Sequence, residues 1–183
     1  MPQPPRDSRQ RVLDIALSLF GERGYGGTAL QAVADELGLT KASVYYHFHA
    51  KGELLEALAE PCLERLAAVV SAPPDTSKLA NCRVLLDAYL ATLAECGSVV
   101  ALLMRDLTAA TLPAAIRCRA LRARLRDLLA RAGSPSAGPV QATCCLGAVE
   151  SAVFGFPPAD TAANRVTILD AAMRALAGGQ ERT

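Results

Sequence analysis

The stretch that decides the fold is residues 28–51, Thr28-Ala-Leu-Gln-Ala-Val-Ala-Asp-Glu-Leu-Gly-Leu-Thr-Lys-Ala-Ser-Val-Tyr-Tyr-His-Phe-His-Ala-Lys51. It predicts two short helices separated by a tight turn at Gly38, because glycine adopts the left-handed conformation at little cost. Thr28 is expected to cap the first helix, with Gln31 completing a capping box, and Thr40 is expected to cap the second. Two short helices joined in this way are typical of a helix-turn-helix.

The second of these helices carries an unusual outer face. Val44 and Phe48 lie one turn apart and should face inward. With about 100° of rotation per residue, Ala42 and Tyr46 then point nearly away from the core. The residues that flank them are Lys41, Ser43, Tyr45 and His47. Exposed tyrosines leave apolar area in water unless a partner covers it, so this face predicts a binding surface.

The remaining chain predicts an all-α protein of about nine helices, without a convincing strand or internal repeat. Ser8 can cap a first helix that Gly21 and Gly24 close. Pro61 predicts a kink or break in the helix that follows Gly52. The later helices are expected at 75–97, 98–112, 113–132, 140–156 and 160–177.

Composition supports a folded helical chain but not a broadly basic one. Of 183 residues, 51% are hydrophobic and only 4% aromatic, so the core must be built from Leu, Ala and Val. The net charge is +1, and residues 1–60 hold six Lys+Arg against eight Asp+Glu, a balance of −2. Any affinity for nucleic acid must therefore come from a few well-placed cations.

The sequence predicts a cytoplasmic protein with reduced thiols. No apolar run approaches the length needed to cross a membrane, the longest being at 99–104, and the polar N-terminus does not resemble a signal peptide. The cysteines lack CxxC spacing and are expected to be small core residues. They are Cys62, Cys82, Cys96, Cys118, Cys144 and Cys145.

The chemistry of the outer face predicts sequence-specific binding to double-stranded DNA, with the second helix in the major groove. Donors at the rim suit phosphate oxygens, and they are Thr28, Thr40, Tyr46, His47 and Lys51. Short or planar groups at the tip suit base edges, and they are Lys41, Ala42, Ser43 and Tyr45.

These motifs resemble the DNA-binding domain of the tetracycline-repressor (TetR) family over residues 8–67. The resemblance rests on Gly24-Tyr25-x-x-Thr28, Val33-Ala34, Gly38-Leu39-Thr40-Lys41-Ala42-Ser43, Tyr45-Tyr46-His47-Phe48 and Lys51-x-x-Leu54-Leu55. It implies a homodimeric transcriptional regulator, usually a repressor that a small molecule releases from its operator. It also implies a helix-turn-helix domain at 7–67 and a ligand-binding and dimerisation domain at 68–183. By matching position, Thr28, Tyr46, His47 and Lys51 would contact phosphates.

The last two long helices carry the faces expected to form the dimer. One is a seam of small residues, Cys144, Ala148, Ser151 and Gly155, and the other is the stripe Val166, Leu169, Met173 and Leu176. A symmetric four-helix contact is expected there. The alternative is that both faces bury within one subunit.

Helical phase suggests a pocket in the second domain. Its candidate residues are Tyr89, Leu93, Leu103, Met104, Leu107 and Phe154, each of which could equally be plain core. These stripes hold no acidic residue, which favours an apolar or neutral effector. In an alternative mechanism the adjacent Cys144 and Cys145 act as a redox sensor in place of the pocket.

An enzymatic role is not expected. His47 and His49 point about 200° apart on a helix and cannot share a metal ion. No phosphate loop, nucleotide fingerprint or nucleophile elbow is present, so the sequence predicts neither cofactor nor metal.

Overall fold

The computed structural model describes residues 5–132 and 137–178, with side chains from residue 8 onward. This part of the chain contains nine α-helices and no strand, which confirms the all-α prediction. The helices are α1 (Pro5–Gly27), α2 (Leu30–Glu36), α3 (Lys41–His47), α4 (Lys51–Ser71), α5 (Leu79–Arg105), α6 (Pro113–Ala130), α7 (Gly138–Gly155), α8 (Pro158–Ala163) and α9 (Arg165–Ala177).

The chain forms two compact units. The first takes residues 1–63 and 98–118, and the second takes 64–97 and 119–183. Helices α4, α5 and α6 contribute residues to both units. The functional division at residue 67 stays a prediction.

In the first unit the inward faces of α1, α2 and α3 pack around large apolar side chains. Phe20 and Phe48 are almost completely buried, and so are Leu54 and Leu55 from the start of α4. The ring of Tyr25 packs 5.4 Å from that of Phe20. Burial of this kind is the main source of stability for helices as short as α2 and α3, which would be marginal alone.

Two glycine and proline predictions have different outcomes. Gly24 interrupts α1 with φ 74° and ψ 163°, as expected of a helix-closing glycine. Pro61 does not break α4, which runs continuously from Lys51 to Ser71, so of the expected kink or break the break is wrong and the kink stays a prediction. Proline removes one ladder hydrogen bond, and the apolar contacts of Leu63 and Leu66, both buried, hold the helix beyond it.

The two helices expected at 75–97 and 98–112 are a single helix, α5, of 27 residues. Gly97 lies inside it, where an added Cβ would stand 3.0 Å from Val153 Cγ1, so this glycine permits close packing with α7. By length and composition α5 could cross a membrane, contrary to the expectation from sequence, but half of its most apolar window is buried in the protein. Core helices of globular proteins have the same character.

In the second unit α7 packs along α9, and α8 packs against both. The last helix, expected at 160–177, is divided into α8 and α9 at Asn164. The Asn164 amide nitrogen donates to Asp160 O at 2.9 Å, which closes α8. The α9 face that meets the interior includes Leu169, Ala172 and Leu176.

Candidate nucleic-acid interface

The turn between α2 and α3 has the geometry that the sequence predicts. Gly38 adopts φ 64°, and its amide donates to Asp35 O at 3.1 Å, while the next amide, of Leu39, donates to Ala34 O at 2.9 Å. Thr40 caps α3, since its Oγ1 accepts a hydrogen bond from Ser43 N at 3.2 Å. The N-terminus of α3 is therefore fixed and solvent-exposed.

The outward face of α3 is exposed in the part of the chain that the structure describes. Val44 and Phe48 are buried as predicted, and Tyr46 on the opposite side is 82% exposed. Lys41 lies over the ring of Tyr45, with Nζ 5.1 Å from the ring centroid. Ala42 and Ser43 are exposed beside them.

Contacts of His47 and Arg9 connect α1 with the end of α3. His47 is half-buried, and its Nε2 lies 3.1 Å from Ser8 Oγ. The exposed Arg9 places its guanidinium carbon 4.9 Å from the centroid of the Phe48 ring. The sequence analysis missed Arg9, and a cation near the start of α1, the helix that precedes the helix-turn-helix, is the signal that could have identified it.

Lys51 contacts the segment between the interruption of α1 at Gly24 and the start of α2, residues 25–29, which we call the turn before α2. Its Nζ donates to Tyr25 O at 2.6 Å and lies 4.2 Å from the centroid of the Tyr25 ring. An ammonium group has three donors, so this bond leaves two for another acceptor. Burial, with the negative charges of Glu56 and Asp106, raises the pKa of Tyr25.

The structure corrects two expectations about Thr28. Its side chain is only 2% exposed, and its hydroxyl donates to Leu19 O at 3.1 Å and to Gly24 O at 2.9 Å. The side chain thus faces the interior and is not placed at a phosphate rim. The predicted capping box is also absent, because α2 begins after Ala29 without a side-chain cap and Gln31 donates to Asp35.

The residues predicted for an effector pocket are spread over both units. Tyr89, Leu93 and Leu103 are buried, and Met104 and Phe154 are half-buried. Leu107 is 88% exposed, so its assignment to a pocket is wrong. It follows Arg105, the last residue of α5, and so lies outside the helical phase on which its inward position was predicted.

The second unit contains an acidic group that the apolar-effector argument overlooked. Glu150 Oε1 accepts hydrogen bonds from Tyr89 Oη at 2.8 Å and from Arg122 Nε at 2.6 Å, and Arg122 Nη2 donates to Glu150 Oε2 at 3.0 Å. Only 13% of the Glu150 side chain is exposed. The expectation that the candidate pocket stripes hold no buried acid was therefore wrong, because Glu150 lies one turn before Phe154 on α7.

A separate groove lies between α5 and α9, with a volume of about 340 Å³. Its lining residues are Arg83, Val84, Asp87, Arg165, Val166 and Leu169. The two arginines are paired across the groove, Arg83 with Asp170 at 2.6 Å and Arg165 with Asp87 at 2.7 Å. None of these residues was predicted to bind an effector.

The faces predicted for the dimer are partly exposed and partly internal. On α7, Cys144, Ser151 and Gly155 are exposed and Ala148 is half-buried. On α9, Val166 is exposed and Met173 half-buried, whereas Leu169 and Leu176 are buried within the subunit. For these two leucines the alternative of burial in one subunit describes the structure, because α9 packs that side on α7.

The cysteines give no support to redox sensing. None of the six forms a disulfide, and only Cys144 is exposed. Burial raises the pKa of Cys145 to about 12, with smaller contributions from Cys82 and Cys144, so its reactive thiolate is scarce at neutral pH. Within the described ranges, no group of three or more His, Cys, Asp or Glu side chains could hold a metal ion.

Comparison with known proteins gives one consistent family. Residues 12–58 match the family described as bacterial regulatory proteins, tetR family. The biofilm operon icaADBC HTH-type negative transcriptional regulator IcaR of Staphylococcus aureus (strain Newman) is 36% identical over 62 residues, which is 34% of this chain and 33% of IcaR. The match thus spans about one third of that relative's length.

Solved structures extend the likeness of fold to nearly the whole chain. SCO3833, a TetR-family member from Streptomyces coelicolor A3, has a TM-score of 0.74 at 24% identity, covering 93% of this chain and 91% of that one. AibR, solved with isovaleryl coenzyme A and operator DNA, has a TM-score of 0.66 at 21% identity, covering 91% of this chain and 96% of that one.

Proposed function

We propose that this chain is a TetR-family transcriptional regulator, acting as a repressor, that binds a palindromic operator as a homodimer in the cytoplasm. The observation that carries the proposal is the uncovered face of α3, on which Tyr46 is 82% exposed between a capped N-terminus and a buried inner face. A helix presented in this way fits the major groove.

We assign two roles to this surface. Lys41, Ala42, Ser43 and Tyr45 lie at the tip of α3, where they would reach base edges. Thr40, Tyr46, His47 and Lys51 would contact phosphates, with Arg9 added and Thr28 removed because its hydroxyl is buried. A dimer supplies the second half-site that a single short helix lacks.

Selection of bound sequences from random double-stranded DNA tests DNA binding. The wild type should enrich a palindrome. The affinity of Lys41→Ala for that palindrome should be roughly tenfold lower, in the range expected for a lost base contact. Tyr46→Ala should weaken binding to all sequences alike. The matched control is Lys78→Ala, which removes one exposed cation from the second unit and should leave the preference unchanged. Enrichment of no palindrome by the wild type would refute the proposal.

The exposed strip on α7 supports the dimer. An added Cβ at Gly147 or Gly155 meets no atom within 4 Å, so the space beside them is open in the single subunit. Substitution of Gly155 or of the exposed Ser151 by Arg should leave the subunit folded and shift light scattering from dimer to monomer. Gly21→Arg on the exposed side of α1 is the control, since a Cβ there also meets nothing. A wild-type monomer at micromolar concentration contradicts the dimer.

A small-molecule effector is the third part of the proposal, and the ligand-bound structure of AibR supports it by analogy of fold. We place the site in the second unit near Tyr89, Leu93 and Phe154. The ligand would have an apolar or neutral body, and its polar group would contact the hydrogen-bonded pair of the Tyr89 hydroxyl and the Glu150 carboxylate. Binding should release the operator, since DNA and ligand affinities are linked. Thermal-shift screening of metabolites followed by operator release tests it, and a screen without any stabilising compound counts against it.

A further inference from the structure

The segment that joins α5 to α6 is attached to the turn that precedes α2, within the first unit. Asp106 Oδ2 accepts a hydrogen bond from the Tyr25 amide nitrogen at 2.6 Å. Its other oxygen, Oδ1, accepts one from the Thr108 amide at 2.8 Å and one from the Thr108 hydroxyl. Both carboxylate oxygens are thus occupied by donors from the chain itself.

The Asp106 carboxylate is held in its charged form. Desolvation alone would raise the pKa of Asp106, but hydrogen bonds from Thr108, Tyr25 and Ala109 outweigh it and place the pKa below its usual value. Hydrogen bonds from neutral donors to a charged acceptor are stronger than neutral pairs. The contact with Tyr25 is therefore a strong one at neutral pH.

The peptide of Tyr25 is fixed at both of its polar groups. Asp106 accepts from its N–H, and Lys51 donates to its C=O at 2.6 Å. These bonds fix the chain directly after Gly24, where φ of 74° and ψ of 163° depart from helical values and change the direction of the backbone. The fit is also close, since an added Cβ on Gly26 would stand 2.9 Å from Thr108 Cγ2.

Two further contacts attach the start of α6, which directly follows this segment, to α4. Glu56 Oε1 accepts from the Ala114 amide at 2.9 Å, in the first turn of α6. Arg117 donates to both oxygens of Glu60, at 2.7 and 3.1 Å. The segment from Asp106 to Arg117 is thereby anchored independently of its contact with the turn, so it can serve as a fixed support for Tyr25.

We propose that Asp106 is a positioning residue for DNA binding: it does not face the groove, but by holding the Tyr25 amide it fixes the turn from which α2 and α3 emerge. The inference rests on the proposed function. A recognition helix needs its side chains within fractions of an ångström of their contacts, so a turn that shifts after loss of this bond weakens binding through residues that are themselves unchanged.

Operator affinity of Asp106→Ala tests the proposal against Asp14→Ala. Asp14 is an exposed carboxylate of α1 in the same unit, so both variants remove one negative charge. Loss of a negative charge by itself favours DNA binding. We expect D106A to bind at least tenfold more weakly (about 1.4 kcal/mol), opposite in sign to the charge effect, and D14A to bind equally or more tightly. An affinity of D106A within twofold of wild type would overturn the proposal.

A stability control separates positioning from general loss of fold. Val70→Ala truncates a buried side chain of the second unit and should lower the melting temperature without lowering operator affinity at a temperature where the protein is folded. V70A and D106A are compared where their melting temperatures are equal. If V70A then loses as much operator affinity as D106A, the role of Asp106 is merely structural and the proposal is wrong.

The Tyr25 amide gives a readout that needs no DNA. In wild type it should exchange slowly with solvent, and in D106A its exchange should accelerate together with that of the α2–α3 turn, while amides of α9 stay unchanged. Unchanged exchange at Tyr25 refutes the inference. Failure of the wild type to select any sequence refutes the proposed function instead, so the two failures are distinguishable. Asp106→Asn should recover part of the affinity, because its single oxygen can accept from Tyr25 but not also from Thr108.

Discussion

Replacement of Thr28 by Val discriminates between an internal and a DNA-facing role for this residue. The structure buries the side chain, and its hydroxyl donates to Leu19 O and Gly24 O. Valine has nearly the same shape but no donor, so Thr28→Val removes only the hydrogen bonds. A typical intramolecular hydrogen bond contributes about 0.5–1.5 kcal/mol, and an acceptor left buried without a donor costs about 1–3 kcal/mol. We expect a loss of about 1–2 kcal/mol in the free energy of unfolding.

Urea denaturation at fixed protein concentration measures this loss, since the stability of a dimer depends on concentration. The control is Ser71→Ala, which removes an exposed hydroxyl that donates to Ala67 O at 2.6 Å in α4 and should change stability by less than about 0.5 kcal/mol. Operator affinity of T28V, measured where the variant is folded, should stay within about threefold of wild type.

The opposite pattern would refute the reasoning. If Thr28 donates to a phosphate, T28V should unfold like the wild type and bind its operator about tenfold more weakly, the loss of a contact worth about 1.4 kcal/mol. That result would also show that the hydroxyl leaves Leu19 and Gly24 when DNA is bound.

Three further outcomes are expected. Gly38→Ala should lower the free energy of unfolding by about 1–2 kcal/mol, because φ is 64° and an added Cβ meets no atom, so only backbone strain acts. In the same urea titration Gly21→Ala, in an open helical position, should be neutral or stabilise by about 0.5–1 kcal/mol. The stability difference between wild type and Asp106→Asn should be constant above about pH 4, the ordinary pKa of an aspartate. It should shrink as the pH falls from there through the lowered pKa that Asp106 has in the folded protein, because the fold stabilises the charged form. A difference that does not change in acid contradicts this. Glu150→Ala should cost about 2–3 kcal/mol in melting experiments by stranding Arg122, and Glu150→Gln less; equal stability of both to wild type would show that the pair contributes nothing.

The sequence was sufficient where local chemistry decides the structure. Gly38 takes the left-handed conformation and Thr40 caps α3, because each depends only on residues three or four positions away. The inward and outward faces of α3 also follow from helical phase, with Val44 buried and Tyr46 exposed. Which residues of α3 are exposed could therefore be predicted from the sequence, while their roles in DNA binding stay predictions.

The sequence failed where a distant segment decides. Gly97 looked like a helix end, but the side chain of Val153 occupies the space beside it and explains the glycine. The bonds of Glu150 to Tyr89 and Arg122 were not predicted, because the three residues come from three different helices and no local pattern pairs them. Thr28 has the residue type and position of an N-cap, yet its hydroxyl donates to carbonyls of α1 and the preceding turn. In each case a residue with two possible local roles takes the one that tertiary packing selects.

The charge balance makes the position of α3 more important than its cations. Residues 1–60 hold six Lys+Arg and eight Asp+Glu, so non-specific attraction to phosphates is weak. Among the described residues of the proposed surface, Lys41 and Arg9 are exposed cations, whereas Lys51 is half-buried and uses one of its three donors on Tyr25 O. A protein with so little general attraction to DNA must gain its affinity from contacts that form only when the helix is correctly seated. We therefore expect the bonds that hold the turn before α2 to affect operator affinity as much as the side chains proposed to touch the bases.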